Sequence, residues 1–346
     1  MSDAAFDLLA SALNSAHGSV LWLVDENVSA PDILRVQPRA EIVAISNRFD
    51  IFQQLISAGF NASLADFNLQ EGRAVFDTIA YRVSKEKALV HHIINRSADW
   101  LKNGGRLFIS GFKGEGIKTY SKKAQVFFGS NAEVVRGQGT ARLIAIERGD
   151  DTGEALDDKS YSELRQVSAE GLDFYSKPGL FGWQKVDQGS AFLIEQLPSL
   201  ITRLHREPGS ILDLGCGYGY LGIMTARLWR AKITAVDNNI AAVTACRKNF
   251  QYLAIDGEVF CDDCGSSLIP GFDWILCNPP FHQGFDVESE LTRKFIASSH
   301  RLLKPGGNAL FVVNAFIGLE RMAANLYDRV EVIANNKSFK VLMLSR

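Results

Sequence analysis

Apolar residues along the 346-residue chain fall into short unbroken runs, among them SVLWLV (19–24), LFIS (107–110), SILDL (210–214), ITAV (233–236), WILC (274–277) and ALFVV (309–313). A continuous run without period-two alternation predicts a strand buried on both faces, as in a parallel sheet covered by helices. The stretches of about 10 to 20 residues between runs mix charged and apolar positions and predict the crossover helices that parallel strands require. An α/β chain is expected.

The pattern occurs twice. FDTIAYR at 76–82 answers FDWILCN at 272–278, and LKNGGRLFISG at 101–111 answers LKPGGNALFVVNA at 303–315. Each half reads strand, helical segment, LKxGG turn, strand, which predicts two tandem Rossmann-like domains. The first is expected over 1–155 and the second over 163–346. ERGDDTGEALDDKSYSE at 147–163, rich in acids and thin in apolar residues, is the expected linker. The copies differ in what they carry. Where the second half has Asn278-Pro279-Pro280-Phe281, the first has Arg82-Val83-Ser84-Lys85, and no glycine-rich turn follows its strand at 19–27. The first half is therefore read as a degenerate domain that kept the scaffold and lost the chemistry.

Composition narrows the class without naming it. With 47% hydrophobic and 22% charged residues, the chain is globular and about two domains long. The N-terminus carries Asp3 and Asp7 in place of a basic leader region, and no apolar run is long enough to span a bilayer, so a cytoplasmic protein is expected. Five scattered cysteines read as reduced thiols; Cys261 and Cys264 form a CxxC without a second pair, and no metal is expected. Net charge is −2, yet residues 82–123 hold ten Lys or Arg against three acids. Lys113, Lys118, Lys122 and Lys123 cluster there as candidate contacts for RNA phosphates. His91-His92 is expected on the surface of a crossover helix.

The second half carries a cofactor signature. A strand ending at Asp213-Leu214 leads into Gly215-Cys216-Gly217-Tyr218-Gly219 and then a helix from Tyr220, a turn whose glycines let the backbone approach a ligand. A second strand ends at Asp237, with Asn238 beside it, where a carboxylate can accept the hydroxyl hydrogens of a ribose. A dinucleotide-binding dehydrogenase would share these elements. Three features favour S-adenosylmethionine (SAM). Asp213 before the first glycine suits a cofactor with a cationic amino group and no pyrophosphate. Asp262 or Asp263, one strand-helix step further, suits an adenine amino group. Asn278-Pro279-Pro280-Phe281 suits transfer to an exocyclic amine. Such an amine delocalises its lone pair into the ring, so an enzyme must engage its hydrogens: the Asn278 side-chain oxygen and the Pro279 carbonyl are the acceptors, proline fixes the backbone, and Phe281 offers a stacking face. His282 is a further candidate for orienting substrate. Lys185 and Asp187 fit two roles, holding the amino-acid end of the cofactor or capping a helix.

Residues 163–346, with LDLGCGYGYLG, AVD, the CDD step and NPPF in order, resemble class I SAM-dependent methyltransferases. The whole chain is similar to the RsmC and RlmG group of ribosomal RNA guanine-N2 methyltransferases, in which a degenerate domain precedes an active one; FYSKPGLFGWQKVDQGSAFLIEQLP at 174–198 has that group's pocket-entry form. Asp263 departs from the Asn that related small-subunit enzymes place at the adenine step. The resemblance implies a monomeric enzyme methylating the guanine N2 amine in ribosomal RNA, with 16S RNA of the small subunit favoured by length and the short C-terminus. Large-subunit RNA, a protein glutamine and a DNA adenine are the alternative substrates. A ribosomal assembly protein that keeps SAM as a stabilising ligand is the non-enzymatic alternative.

Overall fold

A computed structural model describes residues 3–69, 74–169, 171–280 and 285–346. It divides into two compact units, Met1–Glu163 and Leu164–Arg346.

The first unit runs α1 (Ala4–Ser15), β1 (Val20–Val24), α2 (Ala30–Ile33), β2 (Ile42–Ser46), α3 (Phe49–Ser57), β3 (Asn61–Leu64), β4 (Phe76–Arg82), α4 (Lys87–Trp100), β5 (Leu101–Phe112), α5 (Ile117–Phe128), β6 (Ala132–Arg136) and β7 (Ala141–Glu147). The second runs β8 (Arg165–Ala169), β9 (Leu172–Ser176), α6 (Gln188–Leu204), β10 (Ser210–Leu214), α7 (Tyr220–Leu228), β11 (Lys232–Asp237), α8 (Ile240–Tyr252), β12 (Gly257–Cys261), β13 (Phe272–Cys277), α9 (Phe285–Leu302), β14 (Leu303–Asn314), α10 (Leu319–Ala323), β15 (Arg329–Asn335) and β16 (Phe339–Ser345). Each unit holds a seven-stranded sheet, ordered β3-β2-β1-β4-β5-β7-β6 in one and β12-β11-β10-β13-β14-β16-β15 in the other. The two orders are the same topology, so the expected tandem α/β fold is what the chain adopts. In each sheet the first five strands are parallel and the last two antiparallel. Strand order reverses between β1 and β4, and between β10 and β13. Such a switch point opens a crevice at the carboxyl ends of the strands, where ligands bind in open α/β sheets.

The repeat extends to side chains. In the first unit Asp77 accepts from the Ser19 amide at 2.8 Å and from Lys102 at 2.8 Å. In the second Asp273 accepts from the Ser210 amide at 3.0 Å and pairs with Lys304. The lysine comes from the LKxGG turn each time, so this motif ties the start of the first strand to the neighbouring parallel pair. Lys102 and the Ser19 donors hold the Asp77 carboxyl down at about 2.

Strand register shows what replaced the chemistry in the first unit. Val20 pairs with Thr78 as Ile211 pairs with Trp274. Trp22 therefore stands at the Asp213 position and Glu26 at the Gly217 position. Ser46 stands at the Asp237 position by the same reasoning through β2. Glu26 pairs with Arg48, and the buried Arg82, at the Asn278 position, pairs with Asp3 and Glu115.

Two expectations are corrected here. His91 and His92 are buried, not on the surface. The acidic stretch is not a free tether: the His91 Nδ1–H donates to the Asp157 carbonyl at 2.7 Å, Asn95 exchanges two hydrogen bonds with Leu156, and the buried Tyr161 donates to Asp66 at 2.9 Å. Buried histidines need partners, and the stretch supplies them from its backbone and carboxylates. Composition reveals the acids of this stretch; it does not reveal that their backbone satisfies α4.

Candidate active site

Helix α7 follows β10 through a turn in which Gly215, Gly217 and Gly219 all have positive φ, +78°, +55° and +92°. L side chains rarely adopt this conformation. At Gly219 a Cβ would also lie 2.7 Å from the Cys246 sulfur, so packing excludes a side chain there. At Gly217 a Cβ would meet nothing within 4 Å. Its backbone faces open space, the arrangement a ligand approaching the chain requires.

Asp237, at the end of β11, accepts from the Gly217 amide at 2.9 Å through one oxygen and from the Asn239 amide at 2.8 Å through the other. Asp237 thus holds the glycine loop from both oxygens. Asp213 lies beneath the same loop. It is fully buried and accepts from the Gly222 amide of α7 at 2.8 Å; its other oxygen has no partner among the described residues. Burial, with the charge of Asp237 adding to it, pushes its carboxyl up to about 7 against the pull of the Gly222 N–H. From beneath the loop Asp213 braces the helix through the Gly222 amide.

The two candidates at the adenine step separate. Asp262 accepts from the amide and hydroxyl of both Ser266 and Ser267, which uses the lone-pair sites of its carboxylate in shaping the turn after β12. Asp263 is bound to Lys294 of α9 and remains partly exposed. Of the pair, only Asp263 is not taken up in shaping the turn. Lys294 was not legible in the sequence, because it comes from α9, 31 positions further along the chain.

Asn278 follows β13 directly. Its Nδ2 donates to Asp187 Oδ2 and to Ser190 Oγ, both at 2.8 Å. Asp187 is the N-cap of α6 and accepts from the Ser190 amide at 2.8 Å, so the capping role of the two proposed for it is present. Pro279 is buried and Pro280 exposed. Phe281 and His282 lie outside the described residues. The four lysines of the first unit do not form one set: Lys113, Lys118 and Lys122 are exposed, whereas Lys123 is half-buried and donates to His91 Nε2 at 3.1 Å. Lys123 is thus removed from the phosphate-contact candidates, and the exposed Lys85 and Lys87 at the start of α4 join them.

The sequence profile of the methyltransferase small domain family matches residues 171–343, half of the chain and nearly all of the second unit. The chain belongs to that family. Among relatives, the ribosomal RNA small subunit methyltransferase C of Shewanella loihica is 27% identical over 316 residues, covering 88% of each chain, and that of Hahella chejuensis is 27% identical over 269 residues, covering 78% of this chain and 77% of its own. Among solved structures, the T. thermophilus 16S rRNA N2 G1207 methyltransferase (RsmC), in complex with AdoMet and guanosine, superposes with a TM-score of 0.82 at 26% identity, over 99% of this chain and 91% of that one. The likeness to that structure therefore covers both units. The chain is a SAM-dependent methyltransferase built from two tandem methyltransferase-like units.

For the cofactor site one result follows directly. Gly217→Arg and Asp237→Ala should each weaken SAM binding by about 1 to 3 kcal/mol, the first by filling the open side of the loop, the second by stripping the Gly217 amide and the ribose hydroxyls of their acceptor. Titration calorimetry checks this, and unchanged affinity in both variants would refute the assignment.

Proposed function

We propose that the chain transfers a methyl group from SAM to the exocyclic N2 amine of a guanine in 16S ribosomal RNA of the small subunit, acting as a cytoplasmic monomer. The observation that carries this reading is the state of Asn278. Both amide hydrogens are engaged by Asp187 and Ser190, so the side chain has only its oxygen to offer a substrate, and an amine is a substrate with hydrogens to give. The likeness of the whole chain to an enzyme solved with AdoMet and guanosine supports guanine as the base and SAM as the donor.

SAM supplies a methyl carbon already activated by the adjoining sulfonium. The work of the protein is to hold: the Gly215–Gly219 turn, Asp237 and Asp263 fix the cofactor; the Asn278 oxygen and the Pro279 carbonyl draw the amine hydrogens toward tetrahedral geometry as its lone pair is freed from the ring. Positioning of this kind supplies most of the rate in a displacement that needs no strong base. Among the described residues no group of His, Cys, Asp or Glu is arranged to hold a metal, and no helix is long and apolar enough to cross a membrane. Lys85, Lys87, Lys113, Lys118 and Lys122 of the first unit are exposed cations suited to RNA phosphates, contacts that position a nucleic acid without reading its sequence.

Incubation with labelled SAM and separated ribosomal subunits from a strain lacking the enzyme tests the proposal. Label should enter guanine of the small-subunit RNA. Label in large-subunit RNA, in DNA adenine or in a protein glutamine would replace the substrate named here, and no transfer to any would favour a SAM-retaining assembly protein.

A further inference from the structure

We propose that Asp187 and Ser190 are positioning residues that set the orientation and the acceptor strength of the Asn278 amide; the inference rests on the assignment of Asn278 given above. An asparagine side chain can rotate its oxygen and nitrogen into each other's place, and only its partners fix which end faces a substrate. Here the partners are unambiguous on one side. Asp187 as a carboxylate can only accept, and it lies 2.8 Å from Asn278 Nδ2. Ser190 Oγ takes the same nitrogen at 2.8 Å. A rotated amide would set its oxygen against the carboxylate, with both N–H groups stripped of these partners. The arrangement therefore commits the oxygen to the substrate side. A charge-assisted bond to Asp187 also draws electron density through the amide toward that oxygen, strengthening the acceptor.

The scaffold that makes this contact occurs in both units. In the first, Asp3 caps α1, accepting from the Ala5 and Phe6 amides, and reaches the residue after the same strand core, Arg82, at 2.9 Å. Both units thus bring the capping aspartate of a helix to the end of the matching strand. With Arg82 the pair is an ion pair between a buried guanidinium and a partly exposed carboxylate. With Asn278 the equivalent carboxylate holds one end of a short amide, whose oxygen has no partner among the described residues. The repeated contact poses the competing explanation too, that Asp187 merely pins α6 to the sheet.

Serine separates the two. Asp187→Ser keeps a side-chain oxygen able to cap α6, serine being a preferred N-cap, but is too short to hold the Asn278 amide. In the full-length protein, with SAM and small subunits lacking the modification, D187S should lower kcat by about 10- to 100-fold while the KM for subunits, the SAM affinity and the melting temperature stay near those of the parent. D187N, whose amide oxygen can replace the missing acceptor without its charge, should recover most of the loss, and Ser190→Ala should fall between. If D187S turns over within about twofold of the parent, or if D187N is as slow as D187S, the positioning role is overturned. Should Asn278→Ala itself leave turnover intact, the reading of Asn278 fails first, and the two failures are told apart by that variant alone.

Discussion

Asn278→Ala should lower methyl transfer by on the order of 10² or more while leaving SAM affinity nearly unchanged. The effect is one of timing. The Asn278 oxygen accepts a hydrogen from the amine most strongly as the nitrogen rehybridises, so its contribution is larger in the transition state than in the bound complex and appears in kcat more than in KM. Among the described residues the cofactor loop is held by other partners: Gly217 by Asp237, and the turn amides of Gly215 and Cys216 by the Val236 carbonyl, each at 2.9 Å. Removing the amide also leaves Asp187 with the Ser190 amide as its partner, so α6 keeps its cap. Single-turnover rates beside calorimetric SAM binding measure both terms. Activity within about twofold of the parent would remove Asn278 from the mechanism.

The second large effect lies in the other unit. Reversing Lys113, Lys118 and Lys122 to glutamate together should weaken RNA binding by on the order of 10² and reduce the dependence of log affinity on log salt by about one for each phosphate no longer neutralised. These side chains are exposed, two of them one turn apart on α5. Exposed substitutions of this kind leave stability within about 0.5 kcal/mol, so the melting temperature and SAM affinity should hold. Lys123 is left out because it serves His91 inside the unit, and replacing it would confound binding with folding. Binding measured across a salt series decides the matter. An unchanged affinity and an unchanged slope would make the first unit a structural remnant that stabilises the chain without touching RNA.

The acidic stretch 147–163 illustrates how charge alone misleads. Its composition is that of a tether, yet Asn95, His91, His92 and Asp66 hold it from Leu156 to Tyr161. The partners lie 66 or more residues away in sequence for both histidines and for Asp66, and no local pattern announces such pairing.

The sequence by itself determined whatever a short segment can determine. Unbroken apolar runs made buried strands, the repeated LKxGG turn revealed the duplication, and glycine at 215, 217 and 219 named the positions where φ must be positive, because these are consequences of covalent geometry and local burial. It also determined that Asn278 follows a strand and that Asp237 ends one. Only the tertiary structure decided which neighbours these residues meet. Asp187 reaches Asn278 from 91 positions away, Asp262 is consumed by two serines while Asp263 is not, and Asp213 is sealed under its loop. Such choices depend on which loops the switch point of the sheet brings to one edge, and on which lone pairs remain after the backbone has been satisfied, and neither is written in any single stretch of the chain.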